Sequence, residues 1–216
     1  MRPWLGALAL ALGLAGLPAA AGATTVFELP PADPFGAGTL FSDLQHPREA
    51  ASRLVVSDDA QATGLVWWGG YFSFGDPPNP TSSPFEIRLY HGDEAGPDAD
   101  PFLVFAVTAA VSPFPAAFPQ FEFSATLDET MLLTAGTTYW ISIVDVDPTN
   151  PTFAWRKSTE AAFSYSRVPG DPGWNQTTGL GSVRLEGQFV PEPGTAMMAL
   201  LGLAGLAAGR RRHSMR

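Results

Sequence analysis

Cysteine is absent from the 216 residues, which excludes disulfide staples, thiolate metal sites and cysteine nucleophiles together. Basic residues are scarce, at 12 Lys and Arg against 21 Asp and Glu. Phosphate contacts need cations, so nucleic acid and anionic membrane surfaces are poor partners. Histidine is equally thin: beyond the tail only His46 and His91 occur, with neither a Gly-x-Ser-x-Gly elbow nor a His-Glu-x-x-His helix, so catalysis has little to build on. A full-length membrane span is lacking too. The C-terminal apolar run from Thr195 to Gly209 is about 15 residues, roughly 22 Å as a helix, against ~30 Å of hydrocarbon. Finally, no segment from Thr24 to Phe189 sustains a 3.6-residue period, which argues against helices.

Both ends carry processing signals. Arg2 supplies a positive start, Leu5 to Leu17 an apolar stretch and Pro18 a break, before the small residues Ala19-Ala20-Ala21 and Ala21-Gly22-Ala23. This is the layout of a secretory leader over residues 1–23, removed by signal peptidase after Ala23. At the other end Val190-Pro191-Glu192-Pro193 precedes the short apolar run, and Arg210, Arg211 and Arg212 follow it. Proline cannot sit inside the helix and arginines do not cross lipid, so the run inserts transiently with its arginines inside as the stop. The order of these three parts in residues 190–216 resembles the PEP-CTERM sorting signal of Gram-negative bacteria. That resemblance implies an exosortase-type enzyme cutting at Pro-Glu-Pro, and a product secreted or displayed on the surface after crossing the inner membrane. A biofilm or exopolysaccharide matrix is the destination it suggests.

Between the signals lie about 166 residues, Thr24 to Phe189, with seven basic and twenty acidic side chains. One domain with a sizeable core is expected. Period-2 alternation recurs: Val183, Leu185, Gly187 and Phe189 share one face, Phe85-Ile87-Leu89 another, Phe121-Phe123-Ala125-Leu127 a third. Gly64 to Phe74, Phe102 to Val111 and Thr138 to Val146 are apolar on both faces, as central strands are. Weaker strands over Thr25 to Leu29, Ala51 to Ser57, Thr152 to Lys157 and Ala161 to Arg167 bring the count to nine or ten. Turn-rich stretches separate them, so the class is all-β, a sandwich or jelly roll over residues 24–189. Leu65-Val66-Trp67-Trp68-Gly69-Gly70-Tyr71 and Ala135 to Ile143 also resemble strands of small PEP-CTERM ectodomains, which supports that fold without implying an activity.

Two constellations invite a ligand. His91 to Asp100 holds four carboxylates, Asp93, Glu94, Asp98 and Asp100, in a turn-rich loop. Oxygen donors in this company allow Ca²⁺, with Asp145-Val146-Asp147 adding ligands from a strand end, although the loop lacks the EF-hand pattern. A solvated acidic turn explains the same residues. Second, Trp155 and Trp174, the latter in Pro172-Gly173-Trp174-Asn175-Gln176, are candidates for stacking on sugar rings, with Asn175 and Gln176 bonding hydroxyls. Large aromatics in a cysteine-free domain equally serve as core. Carboxylates on strands, Glu86, Glu122, Asp145 and Glu186, leave a glycosidase as a remote alternative. The resulting expectation is a non-catalytic structural or adhesive domain, with a carbohydrate-binding module as the alternative, and no cofactor unless Ca²⁺ binds.

Overall fold

The computed structural model describes residues 23–32, 38–43, 48–72, 82–114, 120–160, 162–168 and 171–191. Thirteen strands follow one another along the chain: β1 (Thr24–Leu29), β2 (Thr39–Phe41), β3 (Glu49–Leu54), β4 (Ala60–Phe72), β5 (Ser82–Asp93), β6 (Gly96–Pro97), β7 (Leu103–Phe114), β8 (Gln120–Leu133), β9 (Tyr139–Asp145), β10 (Thr152–Arg156), β11 (Phe163–Arg167), β12 (Asn175–Thr178) and β13 (Val183–Phe189). The all-β expectation holds. Every strand pairing is antiparallel, and the main order is β1-β13-β4-β8-β7-β5-β9-β3-β11-β12, with β10 bridging β4 and β2. Three strands have no counterpart in the pattern reading, namely β2, β6 and β12; they are short or polar.

The sheet curls until its halves face each other. Trp67 on β4 meets Phe85 on β5 edge-on at 5.0 Å, and Phe85 meets Phe153 on β10 at 5.1 Å, although β5 pairs with neither β4 nor β10. Phe123 joins them, stacked on Trp67 at 5.6 Å. This aromatic cluster fills the space that a sandwich leaves between its layers, and edge-to-face pairs each add about 0.5–1.5 kcal/mol beyond burial. The inner row of β13, Val183, Leu185 and Gly187, is buried as its alternation predicts. Glycine is required at Gly187, where a Cβ would lie 1.9 Å from the Gln61 carbonyl oxygen, beside the irregularity in the β13–β4 ladder.

One central-strand expectation is corrected. β9 is buried at every position, but β7 is not: Val104 is 47 % exposed, and Ala106, Thr108 and Ala110 also face solvent. Alanine and valine make the strand look doubly apolar, yet nothing described packs over its outer row. The reason lies in the pairing. β7 stays with β5 from Leu103 to Ala110 but touches β8 only from Ala110 to Phe114, while β8 follows β4 to Leu133. Before Ala110 on β7 and after Ser124 on β8 the two strands part, and a groove of about 670 Å³ opens, lined by Gly64, Ala106, Thr108, Thr126, Asp128 and Glu186.

Candidate functional site

The acidic loop is built on β5, β6 and the turn between them. Asp93 ends β5 and folds back, its Oδ1 accepting from the Ala95 amide at 2.7 Å. Glu94 reaches Arg53 at 3.8 Å, and the Asp98 amide donates to the His91 carbonyl at 2.8 Å. All four candidate ligands, Asp93, Glu94, Asp98 and Asp100, are exposed. Among the described residues, no three His, Cys, Asp or Glu side chains gather closely enough to hold a metal ion. Asp145 does not join them, because it lies at the far end of β9 from Tyr139, which pairs with His91.

Trp155 is corrected as a sugar platform. Its exposure is 0 %, its indole N–H donates to the Ser182 carbonyl at 2.9 Å, and a Cβ on Gly181 would sit 2.3 Å from its ring. Trp174 is half-buried rather than free. Its indole donates to the Asp98 carbonyl at 3.0 Å, its ring meets Tyr90 edge-on at 5.3 Å, and the Arg167 guanidinium lies 4.3 Å from its centre. A cation held over the ring occupies the surface that a sugar would need. Asn175 and Gln176, on β12, are exposed. The two tryptophans therefore share no exposed face.

What organises this side of the domain is Glu49, which the sequence reading passed over. Its carboxylate is wholly buried, accepts from the Tyr90 hydroxyl at 2.5 Å, and pairs with Arg167 at 3.0 Å and Arg88 at 3.2 Å. Burial, and then the Glu49 carboxylate, push the Tyr90 phenol well above its ordinary value, so it stays a donor. Arg167 also donates to the Ala99 carbonyl. One buried carboxylate thereby fastens the acidic loop, the Trp174 segment and β11 to β3. Nothing in the local pattern of Glu49-Ala50-Ala51 announces this, since the partners come from β5 and β11.

A second polar cluster sits at the other end of β9. Asp145 is buried, and its oxygens accept from the Asp147 amide at 2.8 Å and the Asn150 amide at 3.2 Å. Asn150 also donates to Ser83 at 2.9 Å, and Tyr71 bonds Ser83 at 3.0 Å. Desolvation raises the Asp145 carboxyl above the usual range. The other glycosidase candidates are dispersed: Glu86 pairs with Arg88, Glu122 accepts from Trp68, and Glu186 pairs with Arg184.

The C-terminal exit is the best-defined feature with a functional meaning. β13 pairs with β4 as far as Phe189 opposite Ala60, and the Val190 amide donates to the Asp59 carbonyl at 2.7 Å. Pro191, the next residue, opens the Pro-Glu-Pro sequence. Glu192, Pro193, the apolar run and Arg210, Arg211 and Arg212 lie outside the described residues, as does the leader over 1–22. Residues 189–212 match the family model described as the PEP-CTERM protein-sorting motif. The chain carries a PEP-CTERM sorting motif. That motif marks it as exported cargo, processed by exosortase and sorted to the bacterial cell surface. Comparison with curated proteins finds no match. β1 and β13 are antiparallel neighbours with Thr24 opposite Gly187, so the expected leader cut before Thr24 and the PEP-CTERM motif emerge from one edge of the sheet.

Proposed function

We propose that the curled β-domain is a non-catalytic structural or adhesive component of the extracellular matrix of a Gram-negative bacterium, released from its tail at Pro191-Glu192-Pro193. The observation that carries this reading is how close the sheet runs to the motif: among the described residues, Val190, one past the end of β13, is still tied to the Asp59 carbonyl by its amide and directly precedes Pro191. The acidic, lysine-poor composition of the β-domain suits a hydrated polysaccharide better than phosphate-rich partners. Fractionation tests it. The processed domain should co-purify with the exopolysaccharide fraction and leave that fraction after polysaccharide-degrading treatment; recovery only as free protein in the medium would contradict the matrix role.

A second reading, glycan recognition, rests on one observation. Phe102 is 43 % exposed and lies flat against His91, with ring centres 4.0 Å apart, at the rim of the acidic loop. Stacking on a sugar needs such a solvent-facing ring. A glycan array with the wild-type domain and Phe102→Ala tests this: loss of a signal in the variant supports it, and a signal unaffected by the change removes Phe102 from the site.

A further inference from the structure

We propose that the groove between β7 and β8 binds an extended segment of another polypeptide, which enters as an added strand and is held by its main chain. The two walls of the groove are strand positions that have come apart in register. Ala110 pairs with Ser124. Continued, that antiparallel ladder would set Thr108 opposite Thr126 and Ala106 opposite Asp128, and these same residues line the groove. Along it β7 is paired with β5 and β8 with β4, and among the described residues neither strand has a second partner there.

Pro84 shows which way the main chain of β7 points. On β5 it lies opposite Thr108, has no amide to give, and its carbonyl accepts from the Val146 amide on the β9 side at 3.3 Å. An antiparallel pair exchanges either both bonds or neither, so Thr108 exchanges none with β5 and turns its own N–H and C=O into the groove. Ala106, two residues back, does the same, while Ala110, two residues on, is where this row meets Ser124. Thr126, two beyond Ser124, faces back from β8. Two unpaired strand edges therefore bound the groove, and such edges are where an incoming strand pairs. A strand fills about 4.8 Å within a sheet, ~10 Å through it and ~3.3 Å along it, roughly 160 Å³ per residue. The groove's 670 Å³ thus accommodates about four residues, close to the span from Ala106 to Ala110.

The lining selects the occupant's side chains. Leu65, Val107 and Ala125 form the floor, so residues that point inward are apolar. Both charged lining residues are acids, Asp128 and Glu186, of which Glu186 is paired with Arg184 at 3.1 Å, and exposed Glu129 follows Asp128. Residues that point outward are therefore Lys or Arg, by charge complementarity. No aromatic ring is among the lining residues, so a sugar has nothing to stack on. A second copy brings its own surplus of acids, twenty against seven basic residues between Thr24 and Phe189, and is repelled. The occupant is an extended cationic segment in which apolar and basic residues alternate.

Titrating the exported protein with the probe acetyl-Lys-Val-Lys-Val-Lys-Val-Lys-amide, followed by calorimetry and by amide hydrogen exchange, tests this. The probe should bind and slow exchange at the Ala106, Thr108 and Thr126 amides about tenfold or more. The same peptide N-methylated at its valines loses every donor on one edge and should bind about tenfold more weakly. Asp128→Lys, a change on an exposed side chain, should weaken the probe about fivefold with the melting temperature unchanged. Equal affinity for the methylated and unmethylated peptides would mean that charge alone holds the probe, and would overturn the proposal. No binding at millimolar probe, or unchanged exchange at those three amides, would overturn it as well. A dimer in sedimentation equilibrium with the three amides already protected would give the groove to a second copy and reject the cationic segment.

Discussion

Replacing Glu49 with alanine removes the carboxylate that Arg167, Arg88 and the Tyr90 hydroxyl share. The three partners do not suffer equally. Arg88 keeps Glu86 at 2.6 Å, and Arg167 keeps the Tyr90 hydroxyl at 3.0 Å and the Ala99 carbonyl, so neither cation is left wholly bare. Breaking a buried pair costs about 3–5 kcal/mol when the remaining charge is stranded, and the surviving partners place Glu49→Ala at the low end, about 3 kcal/mol. For a domain of this size that lowers the melting temperature by roughly 6–12 °C. Glu49→Gln keeps the volume and one acceptor, and should cost less. The assay is urea unfolding of the Thr24 to Phe189 domain followed by tryptophan fluorescence, which also reports Trp174 because Arg167 lies over its ring. A loss below about 1 kcal/mol for Glu49→Ala would refute the claim that this carboxylate fastens β3, β5 and β11 together.

Trp174→Ala should cost about 2 kcal/mol, summing its cation–π contact and its edge contact with Tyr90; an unchanged unfolding midpoint would return Trp174 to the free surface. Asp145 has a raised pKa, so its contribution to stability is fullest below the unfolded value and is lost as pH rises through the folded one. Asp145→Asn cannot ionise, so its melting temperature relative to wild type should climb as pH rises above the ordinary carboxylate range, and a difference that stays flat with pH would refute the assignment. The exposed carboxylates of Asp93, Glu94, Asp98 and Asp100 should leave the melting temperature in millimolar Ca²⁺ within about 1 °C of that in chelator. A tight site at 100-fold excess over its dissociation constant would instead add roughly 2.7 kcal/mol, a shift of several degrees.

Strand alternation was the legible part of the fold, because a half-buried strand writes its two faces at every second residue. Val183 to Phe189 shows this, with Val183, Leu185 and Gly187 buried and only Phe189, at the strand's end, exposed on that row. β7 misled the reading for a simple reason: small apolar residues are tolerated on a wet face, so Ala106 and Ala110 look the same in sequence whether covered or not. Trp155 misled in the opposite direction. It stands beside Arg156 and Lys157, yet Arg156 is itself buried, donating to the Gln120 side chain and the Ala32 carbonyl. β12 was missed because Asn175-Gln176-Thr177-Thr178 has no apolar face to alternate. At the candidate site, the tail could be read locally since its parts are contiguous, whereas the Glu49 network joins residues up to 118 positions apart, beyond the reach of any local pattern.

Intact-mass spectrometry of the protein recovered from outside the cell should give a species beginning at Thr24 and ending within Pro191-Glu192-Pro193, without the apolar run or its arginines. A mature species that retains Arg216 would contradict cleavage at the Pro-Glu-Pro motif.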